Sequence, residues 1–137
     1  MSTTIRPETS TSNPYWIDKH RYYELKHFCL QYPIWKQAYE AIDGMAKRPD
    51  ATIIFSQRYG NPTEKCVEMR LFYSDRMEMI ENAANDADLV IGKYILEGVT
   101  EGIPYDILRM RHDVPCGKNA YYELYRRFFW LLSNNRK

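Results

Sequence analysis

The segment PCGKNAYYELYRRFFWLL, residues 115–132, is crowded with aromatic side chains and yet carries Lys118, Arg126 and Arg127 among them. Apolar residues recur along its second half at the spacing of an amphipathic helix, with Phe128, Leu131 and Leu132 on the side to be buried. The segment therefore predicts a closing helix over 118–133 that buries one side and presents cationic and amide groups on the other.

A short candidate helix, PYDILRMR at 104–111, precedes this segment and is separated from it by a turn of four to six residues. A short helix, a tight turn and a longer helix are the outline of a helix-turn-helix, whose second helix lies in the major groove of DNA. Such a unit needs buried residues on both helices and in the turn. The residues spaced to supply them are Ile107, Met110, Val114, Cys116, Tyr121 and Leu124.

The opposite face of the closing helix is predicted to carry the residues that contact DNA: Lys118, Asn119, Tyr122, Glu123 and Arg126. Lysine, arginine and asparagine fit phosphates and base edges, and a tyrosine can reach a phosphate or a thymine methyl. Glu123 is expected to accept from a cytosine amino group or to pair with Arg127. Three further arginines complete the candidate site: Arg127, Arg109 and Arg111.

The chain before this unit also predicts helices. One begins at Asp18, ends before Pro33 and places Tyr22, Leu25, Cys29 and Tyr32 on one face. A second starts at Pro33 and stops at Gly44, with Trp35, Ala38 and Ile42 inward. Residues 45–60 predict a loop with a short extended piece at 53–55.

The stretch NPTE at 61–64 is typical of a helix start, with Asn61 as the cap and Pro62 in the first position. This helix is predicted to run to about Asn85, with one face formed by Cys66, Met69, Tyr73, Met77, Ile80 and Ala84. Another is predicted from about Ala87 to Val99, closed by Gly102, and its apolar face is expected to contain Leu89, Ile91, Tyr94, Ile95 and Gly98. The sequence thus predicts an all-α fold of about six helices.

Composition predicts how the chain is divided, and the charge is unevenly distributed along it. Residues 1–14 are rich in Ser, Thr and Pro and predict a flexible tail, so that 15–137 forms a single helical domain with 86–133 as its DNA-binding part. The net charge is only +1. From Tyr105 onward, however, seven basic residues stand against three acidic ones, and the preceding 104 residues sum to −3. Positive charge is therefore concentrated at the carboxyl end.

Several classes of protein are not indicated. No apolar run approaches a membrane span, and the start of the chain has no secretion signal. The three cysteines are far apart and odd in number, which favours reduced thiols in a cytoplasm and neither a disulfide framework nor a metal site. Paired carboxylates, triads and nucleophile motifs do not stand out, so neither an enzyme nor a cofactor is expected.

The order of elements and the closing segment DLVIGKYILEGVTEGIPYDILRMRHDVPCGKNAYYELYRRFFWLL resemble the RinA/ArpU-type transcriptional activators of phages and prophages of Gram-positive bacteria. The resemblance covers about residues 17–132. Those proteins are similar to the carboxyl-terminal DNA-binding region of sigma factors and control late genes. The resemblance implies that Lys118, Asn119, Tyr122, Glu123 and Arg126 face DNA, while Val114, Cys116 and Tyr121 pack.

The chain departs from that family at Gly117, where a Ser or Thr usually opens the recognition helix, so the helix cap is expected either to be weaker or to move to Asn119. It also departs at Arg111, where many helix-turn-helix units have a small residue. The predicted function is a cytoplasmic, sequence-specific regulator of phage or prophage late genes that binds double-stranded DNA, as a homodimer or beside RNA polymerase.

An alternative function is a phage-encoded protein-binding module or inhibitor that docks on a host complex, such as RNA polymerase or a nuclease. Its expected anchors are bulky aromatic side chains near the tail and the loop, namely Trp16, Trp35, Tyr15 and Phe55. Salt dependence separates the two hypotheses, because phosphate contacts weaken steeply with added salt and an aromatic interface does not.

Overall fold

The computed structural model describes residues 13–46 and 62–136, and these residues form helices without any strand. The prediction of an all-α fold is confirmed. The helices are α1 (Lys19–Leu30), α2 (Tyr32–Ala46), α3 (Pro62–Ala87), α4 (Gly92–Glu101), α5 (Tyr105–Arg111) and α6 (Lys118–Asn135). The extended piece predicted at 53–55 and the cap predicted at Asn61 lie outside the described residues. None of the described helices combines the length and apolarity that crossing a lipid bilayer requires.

The chain divides into two compact units, whereas the sequence predicts one domain over 15–137. The first unit takes the described residues up to Gln31 and from Met79 onward, and the second takes those between Tyr32 and Glu78. Helix α3 therefore contributes its first part to the second unit and its last part to the first.

Local start and stop signals place most helix ends. Asp18 caps α1 by accepting a hydrogen bond from the backbone N–H of His20 at 3.0 Å. Helix α3 begins at Pro62, and α6 begins at Lys118, as predicted. Gly102 ends α4 in the left-handed conformation, with φ of 70°, which favours glycine. Helix α2 continues through Gly44, where the sequence predicts a stop.

The turn between α3 and α4 corrects one prediction. Helix α3 runs to Ala87, and Asp88 then accepts backbone N–H bonds from Val90 and Ile91, both at 2.8 Å. These bonds hold the pKa of Asp88 below its ordinary value, because they stabilise the carboxylate form. Because residues 88–91 form this turn, Leu89 is 90 % exposed, and its predicted place on the apolar face of a helix is wrong.

The core of the first unit lies between α1, α4, α5 and α6. Helix α1 packs on α4 and α6, and α5 packs on α4 and α6. The largest fully buried side chains are Tyr22, Tyr121, Phe128, Phe129, Leu25, Ile80, Ile95, Leu108, Leu132 and Cys29. Burial raises the pKa of the Cys29 thiol far above its ordinary value, so this cysteine is an apolar core residue and not a nucleophile.

The second unit has its own buried and exposed sides. Trp35 and Ile42 on α2 are buried, as their spacing predicts, and Ala38 is half-buried. The guanidinium of Arg70 lies over the ring of Tyr39, 5.4 Å from its centroid. Several large apolar side chains of this unit are nevertheless exposed: Ile34, Val67, Leu71 and Phe72.

Candidate nucleic-acid interface

Helices α5 and α6 and the connection between them, residues 112–117, form the region where the sequence places its DNA-binding residues. Helix α5 buries Tyr105 and Leu108. Gly98 of α4 makes room for side chains of both helices, because a Cβ there would lie 2.5 Å from Tyr121 Oη and 3.2 Å from Leu108 Cδ1. The absence of a side chain at Gly98 thus lets α4, α5 and α6 meet closely.

The buried side of α5 differs from the predicted one. Tyr105 and Leu108 are three residues apart and define the inner face, so Ile107 and Met110 lie on the outer face. Met110 is 82 % exposed, and the prediction that it is buried is wrong; Ile107 is also exposed. Of the other predicted packing residues, Tyr121 is buried, and the half-buried ones are Val114, Cys116 and Leu124.

Two hydrogen bonds from Tyr105 fix the connection. Its hydroxyl donates to the backbone carbonyl of Cys116 at 2.6 Å, and its backbone N–H donates to the hydroxyl of Tyr122 at 3.2 Å. Partial burial, together with the nearby Asp88 carboxylate, raises the pKa of the Cys116 thiol. Both effects favour the neutral thiol of Cys116 over the thiolate.

Tyr122 is only 6 % exposed, and its predicted place on the DNA-facing side of α6 is wrong. It belongs to the buried side of the helix, whose members recur at helical spacing: Tyr121, Tyr122, Tyr125, Phe128, Phe129 and Leu132. Its hydroxyl is engaged by Tyr105. Tyr122 therefore cannot reach a phosphate or a thymine methyl.

The first turn of α6 is open to solvent. Gly117 stands at the N-cap in an extended conformation and offers no side chain to the first backbone N–H groups, which leaves that end of the helix without a side-chain cap. Lys118 and Asn119 are exposed there. The ammonium of Lys118 lies 3.5 Å from the carboxylate of Asp106 on α5, so this turn lies beside α5. Arg109, one turn further along α5, is exposed as well.

Glu123 pairs with Arg126 at 3.1 Å, whereas the sequence offered a pair with Arg127 as one of two alternatives, the other being a bond to a cytosine amino group. Glu123 lies one turn beyond Asn119 and is exposed, whereas Arg126 lies two turns beyond Asn119 and its side chain is only 20 % exposed. Three predicted residues, Asn119, Glu123 and Arg126, recur at intervals of four and three positions and so share one side of α6, and Lys118 is exposed in the same first turn as Asn119.

Arg111 is engaged elsewhere, in a cluster that the sequence did not reveal. Its guanidinium lies 2.9 Å from the Glu101 carboxylate and 3.4 Å from that of Glu97, and the two carboxylates raise its pKa. His112 Nε2 contacts the same Glu97 at 2.8 Å. The only sequence signal was the spacing of Glu97 and Glu101, which places both on one face of α4.

Arg127 is also engaged within the protein. It donates one hydrogen bond to the hydroxyl of Tyr15 and one to the backbone carbonyl of Asp86, both at 3.3 Å. The Tyr15 ring also packs on Trp130, with centroids 5.7 Å apart. Arg127 therefore ties α6 to the segment before α1 and to the end of α3.

Replacing Arg127 by alanine is expected to destabilise the protein by about 1–2 kcal/mol, because two hydrogen bonds are lost, of which the one to Tyr15 is partly buried and the one to Asp86 is exposed. Arg109→Ala is the matched control, since Arg109 is exposed and its removal should change stability by less than about 0.5 kcal/mol. Thermal unfolding followed by circular dichroism measures both. Equal melting temperatures for the two variants would contradict the bridging role of Arg127.

No family model, curated protein or solved structure matches the chain. Within residues 13–46 and 62–136, no three His, Cys, Asp or Glu side chains are grouped in a way that could hold a metal ion.

Proposed function

We propose that this protein binds double-stranded DNA sequence-specifically and regulates transcription, with the first turn of α6 entering the major groove. The observation that carries the proposal is the open first turn of α6, where Lys118 and Asn119 are exposed beside α5 and its exposed Arg109. In a helix-turn-helix, the amino-terminal residues of the second helix contact base edges while the first helix crosses the phosphate backbone.

The chemistry of each side chain suits that arrangement. Asn119 can form paired hydrogen bonds with adenine, Lys118 can donate to guanine or to a phosphate, and Glu123 can accept from the amino group of cytosine. The backbone N–H groups of the uncapped turn suit a phosphate oxygen, since a helix amino terminus carries partial positive charge. Arg109 would add a phosphate contact from α5.

The ion pairs that these residues make in the free protein do not oppose the proposal. Lys118 with Asp106 and Arg126 with Glu123 are pairs in which at least one partner is well exposed. Exposed pairs contribute at most about 1 kcal/mol, so exchanging a carboxylate for a phosphate costs little. The proposed contact residues are thus Lys118, Asn119, Glu123, Arg126 and Arg109.

The resemblance to RinA/ArpU-type activators extends this proposal to late phage or prophage genes in a bacterial cytoplasm. One helix-turn-helix contacts few base pairs, which favours either a second copy of the chain or RNA polymerase as a partner on the same DNA.

A pair of substitutions tests the proposed DNA site. The probes are a duplex that the wild-type protein enriches from a random-sequence pool and a scrambled duplex of the same length. Asn119→Ala is expected to weaken binding to the enriched duplex about tenfold with little change on the scrambled one, because a base contact is lost. Arg109→Ala is expected to weaken both and to reduce the salt slope by about one. Fluorescence anisotropy over a salt series measures each.

Asn134→Ala is the matched control, because Asn134 is an exposed asparagine in the last turn of the same helix. It should leave binding to both duplexes unchanged. Failure of the wild-type protein to enrich any sequence would refute sequence-specific binding. Equal losses on the two duplexes for Asn119→Ala would refute its role in base recognition.

A second candidate function, a protein-binding module, is favoured by one observation in the second unit. Val67 and Leu71 are one turn apart on α3, Phe72 follows Leu71 directly, and each of the three side chains is about half exposed. The anchors that the sequence suggested fit less well. Trp35 is buried, Tyr15 packs on Trp130, Phe55 lies outside the described residues, and Trp16 is 38 % exposed. Binding to purified RNA polymerase that persists at high salt and is lost in Leu71→Asp would favour this function.

A further inference from the structure

Tyr105 and Tyr122, which we call the tyrosine clasp, join the start of α5, the connection and α6 through two hydrogen bonds. The Tyr105 hydroxyl donates to the Cys116 carbonyl at 2.6 Å, and the Tyr105 N–H donates to the Tyr122 hydroxyl at 3.2 Å. Both side chains are almost completely buried. Each tyrosine thus uses its ring in the core and its hydroxyl at a backbone group.

The bond to Tyr122 gives the backbone N–H of Tyr105 an acceptor that α5 itself does not provide. The first N–H groups of any helix lack an acceptor four residues earlier, and Pro104, the N-cap of α5, offers no side-chain acceptor. The Tyr122 hydroxyl takes that place for the first residue of α5. The beginning of α5 is therefore fixed against the second turn of α6.

The bond to Cys116 acts at the other end of the connection. Cys116 directly precedes Gly117, the N-cap of α6, and Gly117 has no side chain and no atom within 4 Å of the position of a Cβ. Gly117 therefore adds no side-chain packing that could hold the start of α6. The Tyr105 hydroxyl consequently holds the backbone one residue before the turn that carries Lys118 and Asn119.

We propose that the tyrosine clasp is the positioning device on which base discrimination depends at this interface; the inference rests on the proposed DNA-binding function. Hydrogen bonds to base edges weaken steeply when distance and angle change, and they carry sequence information directly. Phosphate contacts orient the protein without reading sequence. Loosening the start of α6 therefore removes discrimination between sequences before it removes general affinity for DNA.

The test compares Tyr105→Phe with Tyr125→Phe. Both substitutions keep the aromatic ring and remove one hydroxyl, and the Tyr125 hydroxyl makes its own bond with that of Tyr22 at 2.8 Å. That bond joins α6 to α1 and does not involve the connection. The two variants should therefore lose similar stability, while only Tyr105→Phe removes a bond of the clasp, the one to the Cys116 carbonyl; the backbone N–H bond to Tyr122 remains.

Binding is measured by anisotropy on the duplex that the wild-type protein enriches from a random pool and on its scrambled counterpart. For Tyr105→Phe, the ratio of the affinity for the enriched duplex to that for the scrambled duplex is expected to fall about tenfold, which corresponds to the loss of one base contact. The affinity for the scrambled duplex should not change. For Tyr125→Phe, the ratio should equal that of the wild type. Equal ratios in both variants and the wild type would overturn the inference while leaving DNA binding intact.

Amide hydrogen exchange of the free protein supplies a readout that needs no DNA. Exchange at residues 116–119 is expected to be faster in Tyr105→Phe than in Tyr125→Phe, and equal rates would overturn the clasp whatever the binding data show. If exchange rises but the wild-type protein enriches no sequence, the proposed function fails, and the role of the clasp in discrimination fails with it.

Discussion

Replacing Phe129 by alanine is expected to destabilise the first unit by about 3–5 kcal/mol. The ring is completely buried. It packs edge-on against three other rings, with centroids 5.1 Å from Tyr22, 4.9 Å from Tyr125 and 4.9 Å from Phe128. Its removal leaves a cavity that those rings cannot fill without leaving their own contacts. Because total stabilities are about 5–15 kcal/mol, a large share of the stability would be lost.

Denaturant unfolding followed by far-ultraviolet circular dichroism measures this loss. Phe72→Ala serves as the control, because Phe72 is the same residue type but is 48 % exposed, with Arg76 lying over its ring. The expected cost there is about 1 kcal/mol or less. Similar losses for the two variants would show that the aromatic packing around Phe129 is not the centre of the core.

Gly92→Ala is expected to destabilise the protein by about 3 kcal/mol, the upper part of the usual range for overpacking. A Cβ at this position would lie 2.6 Å from the carbonyl oxygen and 3.0 Å from the carbonyl carbon of Ala84. These are backbone atoms of α3, which cannot rotate away as a side chain can. The start of α4 would therefore have to move off α3, although alanine favours a helix by about 1 kcal/mol.

Gly117→Ala provides the comparison for this substitution. No atom lies within 4 Å of the Cβ that it adds, and φ of −80° is ordinary for any residue. Its expected effect is within about 1 kcal/mol, the scale of N-cap preferences. The melting temperature of Gly92→Ala should therefore be well below that of Gly117→Ala. Equal values would mean that α3 and α4 are not in such close contact in solution.

The helix boundaries that could be predicted depend on local backbone chemistry. Pro62 lacks an N–H and suits a first helical position, and Gly102 adopts a left-handed conformation that closes α4. The start of α6 at Lys118 follows from the preceding Pro and Gly residues. Each of these signals acts within a few residues of the position that it determines, so the sequence is sufficient.

The orientation of individual side chains was less predictable. Tyr121 and Tyr122 are adjacent and chemically identical, so helical spacing alone does not say that both are buried. On α5, which has seven residues, the spacing is compatible with Ile107 and Met110 inward as well as with Leu108 inward. Contacts with Gly98 and Tyr122 decide between these arrangements, and both come from other helices.

In the candidate site, too, local features could be predicted and contacts between distant residues could not. Lys118 and Asn119 are exposed at the first turn of α6, where the sequence placed them. Arg111 and Arg127 are instead engaged by other groups of the protein. The sequence did not predict this, because those partners are distant along the chain. Glu97 is 14 positions from Arg111, and Tyr15 is 112 positions from Arg127. A count of basic residues near the carboxyl end cannot reveal such pairings.

The packing of α1 against α6 has a consequence for biosynthesis. The side chain of Arg21 on α1 binds the hydroxyl of Ser133 at 3.2 Å and its carbonyl at 3.1 Å, across 112 positions of the chain. The ribosome synthesises α1 long before α6, so α1 lacks this packing partner until α6 has been translated. The first unit can therefore complete its folding only after α6 emerges.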